Sequence, residues 1–154
     1  MRKEGELNMK SNQISLTFSS IAENVGIARL LIASVGGQLD LPLNDIEELK
    51  VAVSEAVSNA IIHGYKNVPN HIVYLDLDIS ADGILTIVVK DEGCGIANVE
   101  QAMQPAYSTD PERMGLGFVF MQSFMDELQV ESALEAGTCV TMKKHFKQVP
   151  ISSH

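Results

Sequence analysis

The sequence predicts an α+β fold: a two-layer sandwich of a mostly antiparallel sheet with helices on one face. Two observations lead to this prediction. Apolar side chains recur at helical spacing between residues 20 and 64, whereas from Val73 onward they alternate with polar ones at a period of two. Helices and antiparallel strand pairs therefore arrive in separate runs, which is typical of layered α+β domains. We expect the second face of the sheet to be solvated or available to a partner.

The first part of the chain predicts one strand and two helices. Alternation over residues 14–18 predicts a short strand with one buried face. The segment 20–23 is a capping-box pattern, so it predicts the start of the first helix. Gly36 and Gly37 predict the end of that helix. The second helix is expected to open near Asn44 and to end at Gly64.

The second part predicts two hairpins and two further helices. Alternation over 73–90, interrupted by Asp82-Gly83, is typical of a hairpin. A short helix is expected around 99–103, and Gly115-Leu116-Gly117 is expected to open an apolar helix that ends near Met125. A closing hairpin over 128–144 completes the prediction.

Size and composition favour one globular domain. The chain has 154 residues, of which 45% are hydrophobic and 20% charged, as in ordinary globular proteins. We expect a flexible extension at 1–12, the domain at 13–146 and a frayed tail at 147–154. No apolar stretch reaches the roughly 20 residues that span a bilayer, and no secretory signal is evident. Since Cys94 and Cys139 also show no pairing pattern, we expect a cytoplasmic protein without a membrane span.

The charge balance excludes one class of partner. Lys and Arg number 11 against 20 Asp and Glu, which gives a net charge of −9. A chain this acidic, without a basic stripe, is a poor candidate for direct binding to DNA or RNA. Nucleotide binding remains compatible with this charge, because backbone N–H groups and one or two cations can hold phosphates locally.

Three groups of residues are candidates for a ligand site. Glu55, Asn59 and His63 recur every four residues, so they stack along one helix face at about 6 Å per step. By itself this column could equally be a solvated edge. Two glycine-rich segments follow, at 91–96 and 115–118; a lone G-x-G is usually only a turn, but the second segment precedes a helix, where free N–H groups attract anions. Together the three groups favour a nucleotide site.

These blocks resemble the four ATP-binding boxes of the superfamily that includes DNA gyrase, histidine kinases and MutL. The boxes are E-x-x-x-N-A-x-x-H-G (55–64), D-x-G-x-G-I (91–96), G-x-G-F (115–118) and G-T (137–138). The longer block V-S-E-A-V-S-N-A-I-I-H-G-Y, together with M-D-E and V-E-S, is similar to the anti-sigma F serine kinases of endospore-forming bacteria. The resemblance runs from about residue 12 to residue 145.

The resemblance implies ATP and Mg²⁺ as cofactors and assigns roles to residues. It implies that Asn59 is the Mg²⁺ ligand, that Asp91 accepts a hydrogen bond from the adenine amino group and that Thr138 closes the adenine end. It implies that Glu55 is the general base and that Arg113 contacts the terminal phosphate. The remaining implied nucleotide-binding residues are His63, Gly93, Gly95, Ile96, Gly115, Leu116, Gly117 and Phe118.

Other interpretations of single residues stay open. His63 could be a structural residue at the helix end, Arg113 a solvated loop residue, and Cys94 either a small filler or a reactive thiol. Arg29 aligns with a family residue that touches the sigma factor. The lid before Gly115 is about two residues shorter than the family's, and lid length affects how the phosphates are enclosed, so this difference concerns turnover more than binding.

The resemblance implies a homodimer with two activities. It implies inhibition of a sporulation sigma factor and ATP-dependent phosphorylation of a serine on the anti-anti-sigma factor, without direct contact to nucleic acid. The alternative is an ATP-gated protein-binding module with little or no kinase activity. A histidine-kinase catalytic domain is disfavoured, because the chain has no room for a dimerising hairpin that carries an acceptor histidine.

Overall fold

Five antiparallel strands form one sheet in the order β1-β2-β3-β5-β4. The computed structural model describes residues 10–104 and 114–146. The strands are β1 (Asn12–Ser19), β2 (Ile72–Ile79), β3 (Ile84–Asp91), β4 (Glu127–Ala133) and β5 (Gly137–His145). The predicted fold class, both hairpins and the N-terminal strand are therefore confirmed.

Helices supply the second layer. They are α1 (Asn24–Gln38), α2 (Leu43–Asn59), α3 (Val99–Ala102) and α4 (Met114–Phe124). Helix α2 lies between α1 and α4, and its last residues continue into one turn of π-helix, Ala60–Gly64. None of the helices within the described residues is long and apolar enough to cross a membrane.

The core lies between the helices and one face of the sheet. Strand β2 shows why, because Val73, Leu75 and Leu77 are buried while the alternate residues are more exposed. Helix α2 contributes a matching stripe at Leu49 and Val53, four residues apart. Burial of these side chains, worth about 1.5–3 kcal/mol each, holds α2 in fixed position over the sheet.

The capping-box prediction for α1 is wrong. Helix α1 begins at Asn24 and has no side-chain cap. The buried hydroxyl of Ser20 instead donates to the Val68 carbonyl at 2.6 Å and accepts from the His71 amide at 3.2 Å. These two hydrogen bonds connect Ser20, at the start of the helical layer, to the loop before β2. No local sequence pattern reveals this contact.

Predictions from paired glycines also need correction. Gly36 and Gly37 do not end α1 but lie inside its last turn. Gly36 serves helix packing, because a Cβ there would lie 2.6 Å from Ile46 Cγ1 and would hold α2 away. Likewise, Gly115 and Gly117 lie within the first turn of α4 rather than ahead of it. The second helix also changes type, since α2 ends at Asn59 and the π turn continues to Gly64.

Candidate functional site

One pocket opens where α2, the π turn, β3, β5 and the start of α4 meet. Seven of the predicted site residues line it: Asn59, His63, Asp91, Gly95, Ile96, Phe118 and Thr138. The other lining residues are Ala56, Ala60, Gly64, Val89 and Val140. Residues from four widely separated segments of the chain therefore share one cavity.

Glu55 and Asn59 lie against the second glycine segment. A Cβ on Gly117 would lie 2.9 Å from Glu55 Oε2 and 3.4 Å from Asn59 Nδ2, so no larger residue fits without movement. The Asn59 Nδ2 atom is buried and has no hydrogen-bond partner among the described residues. An unmatched polar atom in a pocket is costly unless a ligand or water satisfies it.

Burial also changes the pKa of Glu55. The side chain is half-buried, and desolvation raises the pKa of its carboxyl above the ordinary value. A carboxylate with a raised pKa accepts a proton more readily near neutral pH. Glu55 does not line the pocket itself but stands beside Asn59 and Gly117 at its boundary.

His63 belongs to the π turn rather than to the α-helical column. It is buried, it lines the pocket, and its carbonyl accepts a hydrogen bond from the Cys94 thiol at 3.0 Å. The Tyr65 amide closes the π turn by donating to the Ala60 carbonyl at 2.9 Å. Single π turns inside helices frequently mark functional sites, because they re-aim the residues around them.

Asp91 is a buried carboxyl at the end of β3, with only 4% of its surface exposed. Burial raises its pKa, and backbone hydrogen bonds from Gly93 and Thr138 oppose that rise. The Gly93 amide donates to Asp91 Oδ1 at 2.9 Å. A carboxylate oxygen has more than one acceptor position, so Asp91 retains capacity for a donor in the pocket.

The glycines after Asp91 serve contacts within the protein. A Cβ on Gly93 would overlap the Gly64 carbonyl, and one on Gly95 would overlap the Ala133 carbonyl. Gly95 also has φ of +75°, which L side chains rarely adopt. The family resemblance implied that both glycines bind the nucleotide. In the structure main-chain atoms occupy their Cβ positions, and of the two only Gly95 lines the pocket.

Ser132 does not line the pocket but contacts two residues that do, a role that the sequence patterns did not indicate. Its Oγ accepts from the Ile96 amide at 2.7 Å and lies 2.8 Å from Thr138 Oγ1. It also donates to the Gly137 carbonyl at 3.0 Å. Ser132 faces Thr138 in the β4–β5 register, so hairpin pairing was the one available signal.

The remaining predicted site residues lie elsewhere. Leu116 is 37% exposed, and a Cβ on Gly115 would lie 2.8 Å from the Gln104 carbonyl. Arg113, the lid and the expected terminal segments fall outside the described residues, apart from residues 10–12. The apolar lining residues Val89 and Val140 carry no motif, because in a sequence they look like any core residue.

The Asn59 side chain has the chemistry to contact a metal ion that a nucleotide carries. No cluster of three or more His, Cys, Asp or Glu side chains suited to a metal occurs in residues 10–104 and 114–146. Mg²⁺ keeps most of its shell as water and phosphate oxygen, so it needs few protein ligands. The unsatisfied amide of Asn59 can serve such an ion with its oxygen and a neighbouring phosphate with its nitrogen.

Solved structures of known proteins share this fold. The RsbU and RsbW domains of a Mycobacterium tuberculosis protein superpose with a TM-score of 0.64 at 18% identity, covering 87% of this chain and 32% of that one. The histidine kinase domain of an Erythrobacter litoralis blue-light activated histidine kinase gives a TM-score of 0.55 at 20% identity, covering 80% and 60%.

Sequence comparison identifies much nearer relatives. An anti-sigma F factor of Geobacillus thermodenitrificans is 49% identical over 88% of this chain and 93% of its own length. Another, of Clostridium beijerinckii, is 45% identical over 92% of this chain and 99% of its own length. Residues 18–144 match the family described as histidine kinase-like ATPase domain. Because these matches span most of both chains and include the segments that build the pocket, the chain belongs to the anti-sigma F factor family of histidine kinase-like ATPase domains.

Proposed function

We propose that this chain binds Mg-ATP in the pocket, binds and inhibits a sporulation sigma factor, and phosphorylates a serine of the anti-anti-sigma factor. The observation that carries the proposal is the gathering of a buried carboxylate, Asp91, and a buried unsatisfied amide, Asn59, in one cavity. The family of the chain makes the sigma factor the expected protein target.

The adenine end is assigned to the Asp91 side of the pocket. An ionised carboxylate accepts but does not donate hydrogen bonds, so it selects a base with an amino group at that position. Val89, Val140 and Phe118 give the pocket apolar walls that suit a flat purine ring. The Thr138 hydroxyl, held by Ser132, supplies a second polar contact.

The phosphate end is assigned to Asn59 and the start of α4. The first amides of a helix carry positive partial charge and favour phosphate groups. Gly117 lets the start of α4 lie close to Glu55 and Asn59, so the two halves of the proposed phosphate site meet there. A bound Mg²⁺ would offset the negative charge of the phosphates during transfer. Arg113 stays a predicted contact to the terminal phosphate.

Glu55 is proposed as the general base of the transfer. The oxygen of the substrate serine attacks the γ-phosphorus, the bond from that phosphorus to the bridging oxygen breaks, and ADP leaves. The serine proton passes to the Glu55 carboxylate. The raised pKa of Glu55 favours this role because it brings proton affinity nearer to the working pH.

Partner binding is proposed to use the outer face of α1. Ile27 and Leu30 are 48% and 68% exposed there, although apolar side chains on a helix are usually covered. Arg29, which lies between them in the sequence, is also exposed and occupies the position that the family resemblance links to the sigma factor. We also propose a homodimer and, since the sigma factor is cytoplasmic, a cytoplasmic site of action.

A transfer assay tests the proposal. The protein is incubated with γ-labelled ATP and a candidate antagonist, and label on serine is measured for the wild type, E55Q and the control E47Q. Glu47 lies on the exposed surface of the same helix. We expect E55Q to lower the transfer rate by at least about 100-fold, with ATP affinity retained, and E47Q to leave both unchanged.

Two outcomes would contradict the kinase. Equal labelling by E55Q and wild type would remove Glu55 from the chemistry. An unlabelled antagonist, together with tight ATP binding by the wild type, would favour the ATP-gated binding module instead.

A further inference from the structure

The hydroxyl of Tyr65 joins three elements that are distant in the sequence. Tyr65 directly follows the π turn and is 5% exposed. Its hydroxyl donates to the Ile72 carbonyl at 2.6 Å and accepts from the Glu92 amide at 2.7 Å. One oxygen atom therefore connects the end of the helical layer, the first residue of β2 and the residue that follows Asp91.

The Glu92 contact is one of three that fix the turn after Asp91. Strand β3 ends at Asp91, so the next amides leave the sheet and need other acceptors. The Glu92 amide donates to Tyr65, the Gly93 amide to Asp91 Oδ1, and the Cys94 amide to the Gly64 carbonyl at 2.9 Å. Two of these three acceptors come from the adjacent residues 64 and 65.

The geometry sets the direction of the Asp91 carboxylate. The Gly93 amide holds Oδ1, and the close approach of Gly93 to the Gly64 carbonyl fixes where that amide lies. Release of the Glu92 amide would free the main chain between Asp91 and Gly93 to rotate. Of its two backbone hydrogen bonds, the carboxylate would then keep only the one from Thr138 in a fixed position, so its orientation in the pocket would loosen.

The Tyr65 ring is supported separately from its hydroxyl. It stacks on His71 with ring centroids 4.7 Å apart and an interplanar angle of 7°. Burial raises the pKa of Tyr65, and the nearby Asp91 and Glu92 charges add to that rise, so the hydroxyl stays protonated and able to donate. A Phe at this position keeps the ring and removes only the two hydrogen bonds.

We propose that Tyr65 is a positioning residue for base recognition, which holds Asp91 so that its carboxylate discriminates an amino group from a carbonyl on the bound purine. The inference rests on the proposed nucleotide function. It predicts that Tyr65 controls the preference for ATP over GTP, since guanine carries a carbonyl where adenine carries the amino group.

The test compares ATP and GTP affinities by calorimetry in the wild type, Y65F and Y74F. Tyr74 is the matched control, because its hydroxyl donates to the side chain of the same residue, at Glu92 Oε1 and 2.7 Å, and leaves the Glu92 amide alone. We expect Y65F to weaken ATP binding about 10-fold and to change GTP binding little. A 10-fold change corresponds to roughly 1.4 kcal/mol, as for loss of the one hydrogen bond between Asp91 and the adenine amino group. Y74F should change neither affinity.

A double-mutant cycle with D91N tests whether Tyr65 affects ATP affinity through Asp91. If Tyr65 acts through Asp91, then Y65F has no further effect on ATP affinity in a D91N background. A purely structural role would lower the melting temperature of Y65F and leave the ratio of ATP to GTP affinity unchanged, which would overturn the inference. Additive effects of the two substitutions would overturn it as well.

Two further results distinguish a failure of the proposed nucleotide function from a failure of the inference about Tyr65. A wild type that binds neither nucleotide at millimolar concentration would refute the proposed function itself, not only the role of Tyr65. Should Y65F fail to fold, amide hydrogen exchange on the wild type serves instead: ATP should slow exchange at Glu92 more than at Val88 in the same strand region. Equal protection at both amides would overturn the inference.

Discussion

At the residue scale, the fold holds two carboxyl groups where their charge is disfavoured. Burial raises the pKa of both Asp91 and Glu55. A carboxyl with a higher pKa in the folded state binds its proton more tightly when folded. Its contribution to stability is therefore complete below the unfolded pKa and is lost as pH rises through the folded pKa. At neutral pH both residues lower the free energy of unfolding, which is typical of functional groups.

Asp91 allows this cost to be measured. We expect D91N to raise the free energy of unfolding at pH 7, because an amide needs no buried charge and its oxygen can still accept from the Gly93 amide. The advantage should be smaller at pH 4, because a carboxyl with a raised pKa gains its proton readily as pH falls. Urea denaturation at both pH values measures the difference, with ATP binding expected to weaken strongly.

The exposed Asp76 on the outer face of β2 provides the control. D76N should leave both the pH dependence and the ATP affinity near those of the wild type. A D91N protein less stable than the wild type at pH 7 would show that Asp91 is not under charge strain.

At the element scale, glycines decide how closely helices and loops approach. Gly36 lets α1 pack on α2, and Gly117 lets α4 pack beside Glu55. The adjacent Gly37 has open space around its Cβ position. Neighbouring glycines in one helix therefore have different physical roles, which the pair G-G in the sequence does not distinguish.

Alanine substitution separates these roles. We expect G36A to lower the free energy of unfolding by about 1–3 kcal/mol, because the new methyl overlaps Ile46. G37A should raise it by about 0.5–1 kcal/mol, since alanine loses less conformational entropy in a helix. Both values follow from urea denaturation at pH 7. Shifts of the same sign would contradict the assignment of Gly36 to helix packing.

At the scale of the whole molecule, the pocket depends on complete folding. Its residues come from α2, β3, α4 and β5. The Ile96 amide donates to Ser132 Oγ and so joins the loop after β3 to the last hairpin. A ligand that needs all these elements binds only the folded state. Binding then stabilises the whole chain in proportion to ligand concentration.

Thermal unfolding measures this linkage. We expect Mg-ATP at 100 times its Kd to raise the free energy of unfolding by about 2.7 kcal/mol, and EDTA to remove much of the gain. In N59A the effect of Mg²⁺ should disappear, because the substitution removes the side-chain oxygen that is the proposed metal ligand. N44A, at the exposed start of α2, is the control and should respond as the wild type does. A full Mg²⁺ effect in N59A would contradict its assignment as the metal ligand.

Local patterns predicted much of the fold and some of the site. Alternation in β2 and β3 and the apolar stripe of α2 determine which faces are buried, because a period of 2 or 3.6 fixes the face before any long-range contact forms. The same periodicity places Glu55 and Asn59 on one helix face, and the glycine segments are local motifs. Both could therefore be named as candidates from the sequence. Val89 and Val140, which line the pocket, could not, and neither could Ser132, which contacts Thr138 beside it. Their positions depend on strand pairing and packing.

The sequence by itself determined the periodicities, the acidic charge and the motif blocks that assign the chain to its family. Only the tertiary structure decided that Ser20 binds the loop before β2 instead of capping α1, that Gly36 serves helix packing, and that Tyr65 supports the turn after Asp91. The physical reason is distance along the chain. A hydrogen bond or close contact between segments tens of residues apart leaves no local periodicity, so it becomes visible only when packing brings both partners together.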